Sequence, residues 1–128
     1  MPSIANVLIV QGNEWSDDTL AQLLRSAGCS VRVVEGGAVL ETIQRETPRV
    51  ILVGGALDLK LYRALRRASK ALILALVPDA DRDRMLEAFD AGVDDCQASP
   101  ISSAEIVARV RAMLRHAKWL PRPADSSA

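Results

Sequence analysis

The stretch Val50–Leu57, Val-Ile-Leu-Val-Gly-Gly-Ala-Leu, decides the fold that the sequence predicts. It opens with four consecutive apolar residues, three of them β-branched, as is typical of a strand buried on both faces of a parallel sheet. The run ends at Gly54 and Gly55, where the backbone can turn and no side chain projects. In an open α/β sheet, chemistry takes place just beyond the carboxyl ends of the strands. A reactive side chain is therefore expected at Gly54, and the sequence has none there.

Apolar runs and helical patterns alternate along the rest of the chain. The predicted strands cover residues 6–10, 30–34, 50–53, 71–77 and 93–98. The predicted helices cover residues 16–28, 39–47, 57–69, 79–91 and 102–116, with a cap at Ser16 for the first and at Ser102 or Ser103 for the last. The alternation predicts an α/β fold, a (βα)5 doubly wound five-stranded parallel sheet with strand order 2-1-3-4-5.

Length and composition indicate one domain without a strong electrostatic preference. The chain has 128 residues, of which 16 are acidic and 16 are Lys or Arg, so nothing in the totals favours binding to nucleic acid or to a membrane. Cys29 and Cys96 do not form a disulfide framework and are expected to be reduced thiols in a cytoplasmic protein. The domain is expected over residues 1–117. Residues 118–128 are expected to be flexible and are interpreted as the start of a linker to an absent C-terminal domain.

Three segments carry a resemblance to a known family. They are Ala91-Gly92-Val93-Asp94-Asp95, then Ser99-Pro100, then Ala108-Arg109-Val110-Arg111-Ala112-Met113-Leu114-Arg115. With them the chain resembles the response-regulator receiver domain, the flavodoxin/CheY-like fold of two-component signalling, over about residues 6–116. The last segment is similar to receivers of the OmpR/PhoB class, which carry a C-terminal winged-helix DNA-binding domain.

The resemblance also locates the pocket in which receivers are phosphorylated. An acidic pair that holds Mg²⁺ aligns here with Gln11 and Gly12, and the phosphoacceptor aspartate aligns with Gly54. The hydroxyl and lysine positions that contact the phosphoryl group hold Val77 and Ser99. Mg²⁺ prefers carboxylate oxygens, and an acyl phosphate requires a carboxylate nucleophile. The resemblance thus implies a degenerate pocket with no catalytic residue, no metal and no cofactor, in which Mg²⁺ binding is lost.

A shifted alignment is the alternative for this pocket. In a different register Asp58 or Asp94 becomes the acceptor, but the shift has to be repeated at four strand ends. Glu14 is the one carboxylate near the end of the first strand, and a single carboxylate makes a poor Mg²⁺ site. The proline in Ser99–Pro100 favours the register used above, and the family predicts a cis peptide bond there. Cys96 stands where the family has an aromatic residue, and we interpret it as a buried small hydrophobic residue.

A dimer interface is the second implication of the resemblance. OmpR/PhoB receivers pair about a two-fold axis through their fourth helix, fifth strand and fifth helix. Asp95 and Arg109 match one ion pair of that interface. Glu105 matches the acid of a second pair, whose cation position holds Met85 with Arg84 beside it. Asp94 matches the acid of a third pair, whose partner position holds His116. The matching interface residues are Asp94, Asp95, Glu105 and Arg109 for the charges and Leu86, Phe89 and Val107 for the apolar patch. A simpler interpretation needs no interface. The charged residues are then solvated surface groups whose ion pairs contribute about 0–1 kcal/mol each, and the apolar residues form a helix stripe that faces the core.

The resulting hypothesis is an atypical, phosphorylation-independent receiver and not an enzyme. It acts as a homodimerisation or protein-interaction module, the regulatory half of a winged-helix transcription factor, with a signalling protein as a further partner. Neither nucleic acid nor membrane is expected to bind this domain. One alternative is a ligand sensor that binds a small metabolite or anion at the strand ends, where Gln11, Asn13, Gly54, Gly55 and Ser99 are neutral and small. Another is a stand-alone signalling adaptor.

Overall fold

The computed structural model describes residues 4–11 and 18–117, in which five strands alternate with five α-helices. The strands are β1 (Asn6–Gln11), β2 (Ser30–Glu35), β3 (Val50–Gly54), β4 (Leu72–Pro78) and β5 (Asp95–Ser99). The helices are α1 (Thr19–Ser26), α2 (Val39–Glu46), α3 (Leu59–Ala68), α4 (Arg82–Asp90) and α5 (Ser103–His116), and a 3-10 turn, Gly36–Ala38, precedes α2. No described helix is long and apolar enough to cross a bilayer.

All strand pairs are parallel, and the sheet order is β2-β1-β3-β4-β5, which confirms the predicted topology. The central strand β3 is buried on both faces, as its unbroken apolar run predicted. Val50 and Leu52 pack on one side of the sheet, and Ile51 and Val53 pack on the other. This alternation follows from the two-residue period of a strand, and it puts one hydrophobic core on each side.

Each core is closed by its own set of helices. On one side α2, α3 and α4 contribute Ile43, Tyr62, Leu65 and Ala88 among other buried residues. On the other side α1 and α5 contribute buried leucines and valines, namely Leu20, Leu24, Val110 and Leu114. The helices run antiparallel to the strands, so their N-termini gather at the edge where strands end, the carboxyl edge. Their C-termini gather at the amino edge, where the strands begin.

Two helices begin later than the sequence pattern predicted, and an aspartate explains each case. Asp58 Oδ1 accepts a hydrogen bond of 3.0 Å from the backbone N–H of Leu61, so Asp58 caps α3 from outside. Asp81 Oδ1 accepts from the backbone N–H of Arg84 at 2.9 Å and caps α4 in the same way. Asp79 has φ 50°, a left-handed conformation that is incompatible with a helix interior. Of the two serines proposed to begin α5, Ser102 is the cap.

The start of β5 was predicted two residues too early. Val93 is buried and apolar like a strand residue, but its backbone belongs to the turn that follows α4. Its side chain is buried in the core, yet its N–H donates to the carbonyl of Ala88 at 3.3 Å and so closes α4. Gly92 before it has φ 113°, which permits the turn. The proposed cap Ser16, the position Gly12 and the tail 118–128 lie outside the described residues.

The side chain of Arg66, one of the cations of α3, makes contacts beyond its own helix. Its Nη1 donates to Gly92 O at 3.1 Å and to Asp94 Oδ2 at 3.0 Å. Its Nη2 donates to the carbonyls of Ser69, at 3.0 Å, and Ala71. Its aliphatic stem lies against Gly92, where an added Cβ would be 2.8 Å from Arg66 Cγ. Arg66 therefore joins the end of α3 to the turn between α4 and β5.

Candidate functional site

The carboxyl edge brings together the ends of β1, β3, β4 and β5. In the strand register Val10 lies opposite Val53, Gly54 opposite Leu76, and Pro78 opposite Ser99. Since side chains alternate between faces, positions 54 and 99 lie on the α1/α5 side. Val77 lies on the other side and is buried in the core beneath α2, α3 and α4. The structure thus gathers Gly54, Val77 and Ser99 at one edge, with the backbone of Gln11 at the end of β1.

None of these three gathered positions carries a carboxylate, and the nearest candidates in sequence have other roles. Asp58 caps α3. Asp94 Oδ2 accepts from the Ile73 N–H at 2.8 Å, in addition to Arg66, so its carboxylate lies at the amino edge, where β4 begins. Asp94 therefore lies away from the carboxyl edge, whereas Asp58 lies at that edge as the cap of α3. Gly54, Val77 and Ser99 also do not fit Mg²⁺, which prefers carboxylate oxygens. In the described part of the chain there is no group of three or more His, Cys, Asp or Glu that could hold a metal.

Of the three gathered positions, Ser99 is the one with a polar side chain. It is 8% exposed, and its Oγ has no hydrogen-bond partner among the residues described. Its carbonyl accepts from the Asp79 N–H at 3.1 Å, which joins the end of β5 to the loop after β4. The Ser99–Pro100 bond is cis, as predicted. Buried hydroxyl groups normally have partners, so the Ser99 Oγ is an unusual feature of the edge.

The surface formed by α4, β5 and α5 carries an exposed apolar pair. Leu86 is 51% exposed and Phe89 is 43% exposed, and they lie three residues apart on α4. The interpretation of these two residues as a core-facing stripe is therefore wrong. Met85 beside them packs partly into the core under α4, and Val107 on α5 packs partly into the opposite core. We call this surface the α4–β5–α5 face.

Arg109 on α5 lies between two carboxylates of the same face. Its Nη1 is 3.8 Å from Asp95 Oδ2, and its Nη2 is 3.4 Å from Glu105 Oε2. Its Nε is buried and has no partner within the described part of the chain. Asp95 is held more firmly, because its Oδ1 also accepts from Gln97 Nε2 at 3.0 Å. Both ion pairs are longer than the about 2.7–2.9 Å of a good charge-assisted hydrogen bond, so Arg109 is only loosely paired.

Known proteins that are similar to this chain in sequence are sensory transduction and transcriptional regulators. The chain is 33% identical over 118 residues to the sensory transduction protein RegX3 of Mycobacterium tuberculosis, covering 88% of this chain and 52% of RegX3. It is 32% identical over 123 residues to the transcriptional regulatory protein CreB of Escherichia coli, covering 91% of this chain and 54% of CreB. The chain therefore spans about half the length of these curated relatives. No protein-family profile matches it.

Solved structures agree on the fold. A two-component response regulator from Clostridium difficile superimposes with a TM-score of 0.77 at 21% identity, over 86% of this chain and 95% of the other. The chain has the fold of a response-regulator receiver domain, and its sequence is similar to those of sensory transduction and transcriptional regulators. This receiver is similar to the regulators of the OmpR/PhoB type, as the sequence motifs predicted. The structural similarity supports the fold, whereas the sequence similarity supports the relation to OmpR/PhoB-type regulators.

The remaining charges of the predicted interface are engaged within this receiver or lie apart. Asp94 is bound to Arg66 and to the backbone of β4. Arg84, which precedes the matched cation position Met85 in sequence, has its Nη1 3.7 Å from Oδ2 of Asp81, the cap of its own helix. His116 is exposed at the last turn of α5. The structure thus brings Asp95, Glu105 and Arg109 together and places Asp94 in a separate, intrachain cluster.

Both cysteines of the receiver are buried and free, in opposite cores. Burial raises the pKa of the Cys29 thiol, which Arg111 nearby partly offsets. Burial also raises the pKa of the Cys96 thiol, and the carboxylate of Asp95 raises it further. Thiols that stay protonated are poor nucleophiles, so neither cysteine is chemically activated.

Two features of the structure could not be predicted from the sequence. The unpartnered Ser99 Oγ depends on what lies next to β5 in space. The hydrogen bonds of Arg66 to the Gly92 carbonyl and to the Asp94 carboxylate join residues that are 26 and 28 positions apart along the chain. Charge periodicity along α3 distinguishes exposed from buried faces but does not reveal such long-range partners.

Proposed function

We propose that this receiver regulates transcription as a phosphorylation-independent dimer that assembles through the α4–β5–α5 face. One observation carries the proposal: this face keeps an exposed apolar pair beside a charged cluster. In this proposal the domain has no enzymatic activity, binds no Mg²⁺ and works in the cytoplasm. Its output is the spacing of two attached effector domains.

The first step of the argument is the chemistry of the carboxyl edge. Autophosphorylation of a receiver needs a carboxylate nucleophile and a divalent cation that screens the incoming phosphoryl group. Gly54 offers no side chain, Val77 offers only carbon atoms, and Ser99 replaces a cation with a hydroxyl. A single replacement leaves a variant of the mechanism, but the replacement of every participating position leaves no route for phosphoryl transfer. A signal of another kind, or none, then sets the activity.

The second step is the energetics of the α4–β5–α5 face. Leu86 and Phe89 have about half of their surface still to bury, and covering apolar surface is the main source of affinity. Arg109 is loosely paired with Asp95 inside the chain. In a two-fold dimer, Arg109 of each subunit can instead pair with Asp95 of the other subunit, so that each charge keeps a partner. Such pairs contribute orientation and specificity more than affinity.

The third step concerns what the dimer does. The relatives are about twice as long as this chain, and one of them is named a transcriptional regulatory protein. We infer that a winged-helix DNA-binding domain follows α5 and that the dimer sets the distance between two such domains. Dimeric regulators bind half-sites whose spacing mirrors the protein's two-fold symmetry. A preformed receiver dimer then gives DNA binding without a phosphorylation step.

A mixing experiment tests the interface directly. In Asp95→Arg two cations meet at each pair across the axis, and in Arg109→Asp two carboxylates meet there, so each variant alone should dimerise more weakly than the wild type. Mixed in equal amounts, the two variants should form a heterodimer, because each cation then faces a carboxylate of the other chain. The intrachain pair is restored in neither chain, so recovery on mixing reports contacts between subunits only.

The control uses an ion pair on the opposite edge strand. Arg32 Nη2 and Glu46 Oε2 are 3.0 Å apart between β2 and α2, away from the α4–β5–α5 face. Reversing these two charges, Arg32→Glu and Glu46→Arg, should leave the association constant within about twofold, as expected for an exposed pair. Sedimentation equilibrium measures all five samples. A mixture of the two interface variants that associates no better than either alone would falsify the proposed pairing.

A second candidate function is ligand sensing at the carboxyl edge, and the Ser99 Oγ favours it. This hydroxyl is buried without a described partner at the edge where β3 also ends, and an added Cβ at Gly55, which follows β3, would meet nothing within 4 Å. A small anion or polar metabolite that accepts a hydrogen bond satisfies it. Thermal shift with a metabolite panel tests this function. A compound that stabilises the wild type but not Ser99→Ala supports it, and a panel without such a compound argues against it.

A further inference from the structure

The helix α4 presents the exposed apolar pair of the α4–β5–α5 face although little of the helix itself is buried. Among its nine residues, all of which are described, Ala88 alone is fully buried. Met85 packs partly against the same core, whereas Leu86 and Phe89 remain exposed. Apolar burial is the main force that fixes a surface helix on its core, and here it is small. The placement of α4 beside β5 therefore depends on the segments that hold its two ends.

The C-terminal end of α4 is closed by a turn that is bonded directly to Phe89. The N–H of Gly92 donates to the carbonyl of Phe89 at 3.0 Å, and the N–H of Val93 donates to the carbonyl of Ala88 at 3.3 Å. Gly92 has φ 113°, a conformation that residues with a side chain rarely adopt. Because these bonds join the turn to the last residues of α4, a displacement of the turn also displaces Phe89.

Arg66 holds this turn from the neighbouring helix α3. Its Nη1 donates to the carbonyl of Gly92 at 3.1 Å and to Oδ2 of Asp94 at 3.0 Å. Its aliphatic stem packs against the same glycine, where an added Cβ would lie 2.8–3.0 Å from three carbon atoms of the Arg66 side chain. Gly92 is thus bonded to Phe89 through its N–H and to Arg66 through its carbonyl.

The other half of the Arg66 guanidinium is anchored to the segment that leads into β4. Its Nη2 donates to the carbonyls of Ser69, at 3.0 Å, and of Ala71. The Asp94 carboxylate that accepts from Arg66 also accepts from the N–H of Ile73 in β4, at 2.8 Å. β4 lies inside the sheet, with β3 and β5 as its neighbours. The planar fork of the guanidinium therefore joins the turn after α4 to a strand that is itself held on both sides.

We propose that Arg66 is a positioning residue for the α4–β5–α5 face: it fixes Phe89 relative to β5 in the arrangement that a second subunit contacts. The inference rests on the proposed function, in which two receivers pair through this face. Arg66 acts through Gly92 and the turn that this glycine forms. Without the arginine the end of α4 samples further positions, and only the molecules in the competent arrangement bind a partner. Its loss should therefore weaken association beyond what a general loss of stability produces.

Sedimentation equilibrium of Arg66→Ala, beside two control variants, tests the inference. Arg67→Ala removes the same type of side chain from an exposed position of the same helix. Ile43→Ala lowers the stability by removing a buried side chain from α2, a helix outside the α4–β5–α5 face. The dissociation constant of Arg66→Ala should rise by about tenfold, and both controls should stay within about threefold of the wild type. In hydrogen exchange, the amides of Gly92 and Val93 should exchange at least about tenfold faster in Arg66→Ala than in Ile43→Ala.

Each other result overturns the inference. A dissociation constant that rises no more in Arg66→Ala than in Arg67→Ala refutes it, as does an equal rise in Ile43→Ala, because stability alone then accounts for the effect. Equal exchange rates of the turn amides in Arg66→Ala and Ile43→Ala show that Arg66 does not fix the turn. A wild type that is monomeric at every concentration refutes the proposed function as well, whereas a wild-type dimer that Arg66→Ala leaves unchanged refutes only this inference. If circular dichroism shows that Arg66→Ala is unfolded, Arg66→Lys replaces it with the same expected loss, because lysine keeps the charge but lacks the planar fork.

Discussion

Replacing both exposed apolar residues of α4 should dissociate the dimer while leaving the fold in place. The perturbation is the double substitution Leu86→Ala with Phe89→Ala. Leu86 is 51% exposed and Phe89 is 43% exposed in the single chain, so about half of each side chain is available to be covered by a partner. The other half of each side chain is covered within the chain, so a modest loss of stability accompanies the substitution.

The magnitude follows from the exposed fractions. Full burial of a Leu or Phe side chain is worth about 1.5–3 kcal/mol, so covering the exposed half of each contributes about 1 kcal/mol. Two-fold symmetry brings both residues from both subunits into the contact, which makes about 4 kcal/mol per dimer. At about 1.4 kcal/mol for each factor of ten, the dissociation constant should rise by about three powers of ten.

The assay is sedimentation equilibrium, with a matched control on the other edge of the molecule. Val33 is 45% exposed and Leu40 is 41% exposed, so Val33→Ala with Leu40→Ala removes a similar exposed apolar area from β2 and α2. The control should dimerise like the wild type. An α4 variant whose dissociation constant rises less than about tenfold, or a control that changes by as much, would refute the assignment of this face.

Two further predictions concern the cluster around Arg66 and the buried thiols. Arg66→Ala removes the ion pair with Asp94 and the hydrogen bonds to three carbonyls. The free energy of unfolding, measured by urea denaturation, should fall by about 2–3 kcal/mol, of which the partly exposed ion pair supplies at most about 1 kcal/mol. A loss below about 0.5 kcal/mol contradicts the role assigned to Arg66. Because burial raises the pKa of Cys29 and Cys96, the unfolded chain ionises first as pH rises past the ordinary thiol value of 9.0, so stability declines there. Cys29→Ala with Cys96→Ala should reduce the decline measured between about pH 8 and about pH 10, and an unchanged decline contradicts the assignment.

Much of the fold was predictable because the strands differ clearly from the helices in their pattern. The run Val50–Val53 is apolar at every position, which only a strand buried on both faces requires, and it is the centre of the observed sheet. The boundaries were less predictable. Asp79 and Asp81 have helix-compatible surroundings in sequence, but a left-handed backbone at the first and a capping role for the second delay α4 to Arg82. Local pattern does not distinguish a cap from a first turn.

The candidate sites were predictable to different degrees. The positions gathered at the carboxyl edge follow from counting residues to each strand end, so Gly54 and Ser99 could be placed from sequence. The burial of the Ser99 Oγ without a described partner could not be predicted, because it depends on the residues that the fold places around the end of β5.

The central claim, a receiver dimer that needs no phosphorylation, is tested most directly by light scattering of the purified domain across a range of concentrations. Each concentration is measured alone and with Mg²⁺ plus an acyl-phosphate donor. The account predicts a species of twice the 13.8 kDa chain mass in both conditions, with the same dissociation constant. A monomer that pairs only after addition of the donor would contradict the account, because it would require a phosphoacceptor carboxylate in this chain.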